Sequence, residues 1–276
     1  MGRGYRTEKV WIDAGGRPMK LLVLRPAGGP RPGGRPGVLW IHGGGYVTGM
    51  AEMVHISRAA ALTGKYGAVV VSPAYRLSGQ APYPAALRDC SRALVYLRDH
   101  GPQLGVRTDQ IMVGGESAGG GLAAALCMYE KDRGRVRIAY QMPLYPMLDC
   151  RDTETSRDNH RIVWNTRRNH MGWARYLKGL EGQPIPAYAS PARREDYSGL
   201  PPAYTFVSTK EPFYAETLAY VDALRRAGVE AEADVYPGLF HAFDMLAPYL
   251  PASRRAAAAF ERQFVRAAAR YFAPQP

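Results

Sequence analysis

The sequence predicts an α/β fold with a mostly parallel central sheet and helices on both of its faces. Short apolar runs typical of buried strands alternate with longer runs of helical periodicity along the chain. One strand-like run, 110–114, leads through a glycine-flanked turn directly into a helix-like run, 121–129. The chain has 276 residues, enough to bury a substantial core, so we expect one domain over residues 1–276.

The elements are expected in a simple order. Strands are predicted over residues 9–13, 38–41, 110–114, 204–207 and 233–236, and helices over residues 84–97, 121–129, 214–227 and 252–271. Residues 152–182 interrupt this alternation with a set of aromatic and amide side chains placed between charges: Trp164, Asn165, Trp173 and Tyr176. We expect this segment to form a small helical cap inserted into the domain.

The turn at residues 115–119 reads Gly-Glu-Ser-Ala-Gly and places Ser117 between the strand and the helix. Glycines on both sides allow strand and helix to approach closely without a Cβ in the way. This context is typical of a nucleophile elbow, in which the serine hydroxyl faces a cleft. The pattern arises by chance in about one chain in eight of this composition. A plain glycine-rich turn therefore stays an alternative until a second element supports the first.

The second element is His-Gly-Gly-Gly at residues 42–45, directly after the strand-like run 38–41. Its chance expectation is only about 0.01 per chain. Glycines let backbone N–H groups point at a ligand oxygen, and this loop position is where an oxyanion hole is expected. We predict that the N–H groups of Gly44 and Gly45, together with that of Ala118, form the hole.

A serine nucleophile needs a general base, which in this architecture follows it in the chain. After Ser117 the candidates are His160, His170 and His241. The first two lie in a polar, arginine-rich stretch and are interpreted as solvated surface residues. His241 follows a strand and a Pro-Gly turn, so we predict that it is the base. A histidine buried in an apolar face is the alternative.

The acid that orients the base is expected after the strand at 204–207, which favours Glu211. Four other carboxylates are rivals, each interpreted as a solvated charge: Glu216, Asp222, Asp234 and Asp244.

In these motifs the chain resembles the bacterial hormone-sensitive-lipase-like (family IV) carboxylesterases of the α/β-hydrolase superfamily. The resemblance is carried in order by residues 42–46, 75–77, 83–86, 115–120, 211–213 and 236–243. It implies the α/β-hydrolase fold and hydrolysis of short-chain carboxylic esters through an acyl-enzyme, with Ser117, His241 and an acid at position 211. No metal or other cofactor is implied. We also name Tyr46, beside the glycine loop, and Trp164, in the cap segment, as candidate substrate-binding residues.

The chain departs from the family pattern at several places. Glu211 stands where aspartate is usual, which adds a methylene, and Glu116 stands before the nucleophile where aspartate is common. Ser-Gly-Gln at 78–80 replaces Ala-Pro-Glu, so a buried charge is expected to be absent beneath the glycine loop. The strand at 9–13 begins without the usual preceding cap helices, so we expect a lid made of 152–182 alone and a more open site.

Composition restricts the location and partners. The sequence has no secretory apolar region and no apolar run near 18 residues, which argues against export and a membrane span. Its cysteines, Cys90, Cys127 and Cys150, are odd in number and widely spaced, as expected in a reducing cytoplasm.

The net charge is +12, but only six of the 36 basic residues are lysine and the arginines are scattered. Codon bias therefore explains the charge better than nucleic-acid binding, although weak attraction of anionic esters stays open. A homo-oligomer is compatible with the sequence.

Three classes of function are compatible with this fold and these motifs. A serine carboxylesterase acting on a small-molecule ester is favoured. A ligand-binding receptor on the same fold, like the plant gibberellin receptors, is disfavoured because those proteins have lost the histidine that this chain retains at position 241. An arylformamidase-like hydrolase of activated amides shares the glycine loop, and the sequence does not separate it from an esterase.

Overall fold

The structure, a computed structural model, describes residues 4–29 and 31–276. Its strands form one sheet, and their bounds in chain order are β1 (Tyr5–Asp13), β2 (Pro18–Pro26), β3 (Arg35–Ile41), β4 (Val69–Pro73), β5 (Val106–Glu116), β6 (Tyr140–Leu144), β7 (Ala203–Ser208) and β8 (Ala231–Tyr236). The spatial order is β1-β2-β4-β3-β5-β6-β7-β8. The pairs β1/β2 and β2/β4 are antiparallel, and the other pairs are parallel. The predicted mostly parallel sheet is confirmed.

Helices cover both faces of this sheet. Their bounds are α1 (Ala59–Gly64), α2 (Ala85–Asp99), α3 (Gly101–Leu104), α4 (Ala118–Arg133), α5 (Thr166–Tyr176), α6 (Tyr214–Arg226), α7 (Phe243–Leu246) and α8 (Pro251–Arg270). Apolar residues of α2, α4 and α6 pack with one set of alternate strand side chains, such as Leu39 and Val113. Residues of α1 and α8 pack with the other set, such as Val38 and Met112. Because successive strand residues point to opposite faces, the strands are buried on both sides.

The predicted elements are confirmed with shifted ends. Each strand-like run lies within a strand, and the run 110–114 lies in the second half of an eleven-residue strand, β5. Strands β2, β4 and β6 were not identified from the sequence. Among the described residues, no helix is both long and apolar enough to cross a membrane.

The connection between β6 and β7 contains residues 152–182, the segment that was expected to form a small helical cap. Within 152–182 the only helix is α5, and turns precede it. Side chains hold these turns: Thr166 Oγ1 donates to the Ser156 carbonyl at 2.6 Å, and the Asn159 N–H donates to Thr166 Oγ1 at 2.7 Å. Local hydroxyl-to-backbone bonds of this kind compete with helix formation, which explains why turns precede α5.

Candidate active site

Ser117 lies at the junction between β5 and α4, in a backbone conformation that few residues adopt. Its φ is +58° and its ψ is −121°. Three backbone hydrogen bonds fix it: its N–H donates to the Leu144 carbonyl at 3.0 Å, and its carbonyl accepts from Gly121 at 2.9 Å and Met147 at 3.0 Å. Such a conformation costs about 1–3 kcal/mol and persists only where its surroundings hold it. The expected sharp turn at Ser117 is therefore present and firmly supported.

The glycine that follows the serine by two positions permits a very close approach of α4 to β3. A Cβ atom on Gly119 would lie 2.1 Å from the Ile41 carbonyl oxygen and 2.5 Å from that of His42. Real Cβ atoms do not come so close to backbone, so no side chain is accommodated here. The approach brings the end of β3, and the glycine loop after it, against the serine.

Ser117, His241 and Glu211 form one continuous hydrogen-bonded chain. His241 Nε2 lies 2.8 Å from Ser117 Oγ, and His241 Nδ1 lies 2.5 Å from Glu211 Oε2. The three residues follow strands β5, β8 and β7, whose carboxyl ends meet at the same edge of the sheet. A carboxylate only accepts hydrogen bonds, so Nδ1 carries the proton and Nε2 is free to accept from the serine hydroxyl.

Glu211 is fully buried beside the histidine. Its other oxygen, Oε1, accepts the Ser208 N–H at 2.9 Å, which fixes the carboxylate relative to the end of β7. Burial raises the pKa of Glu211, while the neighbouring His241 and the Ser208 N–H oppose that rise. The hydrogen bonds that Glu211 accepts from His241 and from the Ser208 N–H therefore favour the charged form that burial disfavours.

The glycine loop offers unpaired backbone donors. Gly44 and Gly45 have φ values of +120° and +60°, and within the described chain their N–H groups donate to no protein acceptor. Ala118 is the first residue of α4, so its N–H has no partner inside the helix. His42 Nδ1 lies 2.8 Å from the Gly43 carbonyl oxygen at the start of the loop, and burial lowers the pKa of His42 to about 4, which keeps it neutral at pH 7.

Trp164 lies directly on this loop. A Cβ atom on Gly45 would lie 2.1 Å from Trp164 Cη2, which places the indole edge against the Gly45 backbone. The planes of the indole and the His241 ring meet at 43° with ring centroids 6.4 Å apart, and the indole Nε1 donates to Asn169 Oδ1 at 3.3 Å. Trp164 therefore forms a wall beside the glycine loop, close to His241.

Tyr46 has a different environment from the one expected. Its side chain is 1% exposed, its hydroxyl donates to the Met147 carbonyl at 3.1 Å, and its ring stacks on Tyr176 at a centroid distance of 4.0 Å. These contacts do not support the expected substrate contact. They place Tyr46 in the packing that joins the glycine loop to α5.

The rival residues divide into two groups. His160 and His170 are surface residues whose side chains are 85% and 56% exposed, each beside an aspartate, so that interpretation is confirmed. Asp222 is exposed as well.

The interpretation of Glu216 and Asp244 as solvated charges is wrong, because both are buried. Glu216 is buried by the packing of its helix, and its carboxylate accepts the Leu148 N–H at 2.6 Å. Asp244 is buried beside Arg58, whose Nε lies 3.1 Å from Asp244 Oδ2.

Sequence reasoning also missed the contacts of Glu116. This residue is buried and accepts a hydrogen bond from Trp40 Nε1 at 2.8 Å. The only sequence signal for these contacts was the place of Glu116 directly before Ser117.

Among residues 4–29 and 31–276, no group of three His, Cys, Asp or Glu side chains is arranged to hold a metal ion.

A serine on a strand-to-helix elbow, linked through histidine to a buried carboxylate at the carboxyl edge of a mostly parallel sheet, defines the class of α/β-fold serine hydrolases. The family described as alpha/beta hydrolase fold matches residues 38–245. The chain belongs to this family.

Relatives within the family carry esterase names. Esterase LipI of Mycobacterium tuberculosis is 31% identical over 253 residues, covering 91% of this chain and 79% of that protein. The acetyl-hydrolase of Streptomyces hygroscopicus is 33% identical over 236 residues, covering 84% and 75%. Among solved structures, a bacterial heroin esterase superposes with a TM-score of 0.91 at 31% identity, covering 97% of this chain and 86% of that one.

Proposed function

We propose that the protein is a serine carboxylesterase that hydrolyses esters of short-chain carboxylic acids through an acyl-enzyme. The observation that carries this proposal is the unbroken chain of hydrogen bonds from Glu211 through His241 to Ser117. The names of the relatives support an ester substrate, and the name of the acetyl-hydrolase supports a small acyl group.

The reaction follows from the positions of these atoms. His241 Nε2 takes the proton of the Ser117 hydroxyl as the serine oxygen attacks the ester carbonyl. The N–H groups of Gly44, Gly45 and Ala118 bind the oxyanion that develops. His241 then gives the proton to the departing alcohol. A water molecule, activated by the same histidine, releases the acid from Ser117.

Glu211 keeps the imidazole in the productive tautomer and stabilises the imidazolium that forms during each step. Its burial and its bond to the Ser208 N–H prevent it from turning away from His241. The carboxylate is thus preorganised beside the imidazole, which lowers the reorganisation energy needed to reach the transition state.

We propose that residues 152–182 form the cap of the site and that Trp164 contacts the substrate. The indole on Gly45 narrows the space beside the glycine loop, which favours small esters. A cytoplasmic location is a further part of the proposal, supported by the free thiols of Cys90, Cys127 and Cys150.

The test is turnover of p-nitrophenyl acetate compared with an N-formyl anilide. We expect rapid release of p-nitrophenol, slow or no cleavage of the anilide, and covalent labelling of Ser117 alone by a fluorophosphonate. Ser117→Ala should abolish both turnover and labelling with an unchanged melting temperature, and His241→Ala should lower kcat by about 10³-fold or more. Faster cleavage of the anilide would indicate an amide hydrolase, and binding without turnover would indicate a receptor.

A further inference from the structure

The proposed nucleophile lies in a narrow space between the glycine loop and the proposed base. A Cβ atom on Gly43 would lie 3.2 Å from Ser117 Cβ, and Ser117 Oγ lies 2.8 Å from His241 Nε2. Ser117 is 6% exposed and His241 is 4% exposed. Entry of an ester therefore depends on the side chains that border this space.

The Trp164 indole borders this space and lies in a cleft between two glycines. A Cβ atom on Gly45 would lie 2.1 Å from indole Cη2, and one on Gly172, in α5, would lie 3.5 Å from indole Cζ2. The indole also faces His241 and Phe213, each at a ring-centroid distance of 6.4 Å. An ester carbonyl that binds the N–H groups of the glycine loop therefore meets the indole.

Trp164 belongs to a short segment, residues 160–165, whose hydrogen bonds are all local. In the part of the chain that the structure describes, each of these bonds has its partner within residues 158–169. Of the three hydrophobic side chains in the segment, only that of Trp164 packs on the core, and Ile162 is 79% exposed. Movement of the segment therefore breaks the packing of one indole and a few local bonds, as is typical of elements of low local stability.

The two ends of this segment are fixed to each other. The Asn159 N–H donates to Thr166 Oγ1 at 2.7 Å, and the Thr166 N–H donates to the Asn159 carbonyl at 3.0 Å. Asn159 Nδ2 also donates at 3.2 Å to the carbonyl of Lys210, the residue before the proposed acid. A short loop whose paired ends are anchored on the body of the fold is able to turn about those ends as a flap.

One arginine holds the segment in its position on the glycine loop. Arg168, on α5, donates from Nη1 to the carbonyls of Ile162 and Val163. Its side chain is exposed and has no acidic partner among the described residues. Hydrogen bonds from a charged donor are stronger than neutral ones. Removal of the guanidinium therefore loosens the segment without touching the proposed catalytic residues.

We propose that residues 160–165 form a flap that turns about its base at Asn159 and Thr166, and that Trp164 leaves Gly45 when an ester enters. Arg168 is the latch that keeps the flap closed. The inference rests on the proposed function, since it gives the flap control of entry to Ser117. Only the open fraction of the molecules admits a bulky substrate, so the flap favours small esters.

The first test removes the latch and measures how fast a bulky reagent reaches the serine. Diethyl p-nitrophenyl phosphate transfers its diethylphosphoryl group to Ser117 Oγ, p-nitrophenolate leaves, and His241 takes the serine proton. We expect the second-order rate constant of this inactivation to be about threefold or more higher in Arg168→Ala than in the wild type, because loss of the hydrogen bonds raises the open fraction.

Arg167→Ala is the matched control. Arg167 is exposed on the same helix, and its side chain has no hydrogen-bond partner within the described residues. The substitution removes the same charge next to the same segment, so its rate constant should equal that of the wild type. A rate constant for Arg168→Ala no higher than that for Arg167→Ala would overturn the proposal.

The second test follows the indole itself in Trp11→Phe protein. Trp11 is 64% exposed, whereas Trp40 and Trp173 are buried. The chain has four tryptophans, so this change leaves Trp164 as the partly exposed one. We expect acrylamide quenching of the fluorescence to increase when Ser117 carries the diethylphosphoryl group, because that group displaces the indole. Quenching that is unchanged after complete labelling would also contradict the flap.

Failure of the flap and failure of the proposed function give different results. Protein that neither turns over p-nitrophenyl acetate nor labels at Ser117 would overturn the proposed function. Protein that does both, but reacts with the phosphate at the same rate in Arg168→Ala and Arg167→Ala, would overturn the flap alone.

Discussion

Glu211 and His241 are 30 residues apart in the chain, and their side chains meet with Oε2 of the glutamate 2.5 Å from Nδ1 of the histidine. The resemblance leads one to expect aspartate here, and the structure accommodates the extra methylene by anchoring the second oxygen on the Ser208 N–H, at the end of β7. The longer acid therefore reaches the histidine from a position fixed by the sheet.

This anchoring leads to a prediction for position 211. Glu211→Gln should lower kcat by about 10²- to 10⁴-fold, because a neutral amide does not stabilise the imidazolium and permits the wrong tautomer. Glu211→Asp should be milder, because the charge is kept but the shorter side chain does not span both contacts. Steady-state kinetics and melting temperature on the same preparations provide the measurement.

The control for position 211 is Glu216→Gln. Glu216 is buried on α6 and accepts the Leu148 N–H, a bond that an amide oxygen also accepts. We expect its kcat to stay within about threefold of the wild type. If Glu211→Gln kept near-normal kcat while Glu216→Gln lost it, the assignment of the acid would be wrong.

The glycine loop predicts a large effect of one methyl group. Gly44→Ala combines a φ of +120° with a Cβ placed 2.1 Å from the Thr48 carbonyl oxygen, so the loop must move. Displacing one oxyanion donor costs about 3 kcal/mol of transition-state stabilisation, or about 10²-fold in kcat. Gly228→Ala is the matched control, because its φ of +77° is also left-handed but its Cβ meets open space. It should lose about 1 kcal/mol of stability and no activity.

Trp164 predicts a change of specificity. Trp164→Ala removes the wall on Gly45, so the ratio of kcat/KM for p-nitrophenyl octanoate to that for the acetate should rise by about tenfold. Ile162→Ala, two residues away and 79% exposed, should leave that ratio unchanged. An unchanged ratio in the tryptophan variant would show that the indole does not limit the size of the ester.

The buried carboxyl of Glu116 predicts a dependence of stability on pH. Its pKa rises from 4.5 to about 8 on folding, so the folded state binds more protons between those values. The free energy of unfolding therefore falls as the pH rises from about 4.5 to about 8 and levels off above that range, with a slope of up to about 1.4 kcal/mol per pH unit from this group. Urea unfolding at several pH values should show a smaller slope in Glu116→Gln. Some slope stays, because burial also raises the pKa of Glu211 and Asp244.

Much of this fold and site was predictable from local patterns. Alternating apolar runs located β3, β5, β7 and β8, because strands buried on both faces are continuously hydrophobic. The order of elements then limited the choice of base to three histidines, and strand context selected His241. The turns that precede α5 within 152–182 were not predicted, because aromatic spacing does not reveal the hydroxyl-to-backbone bonds around Thr166.

The sequence by itself determined the elbow at Ser117, the glycine loop, and the residues that we propose as base and acid, since each depends on residue type and on its place relative to a strand. Only the tertiary structure decided which other side chains share the site. The Tyr46 side chain is buried in the packing, Trp164 lies on Gly45, and Asp244 is buried beside Arg58. These outcomes depend on contacts between distant segments, because burial and pairing are properties of the packed fold and leave no periodic signal along the chain.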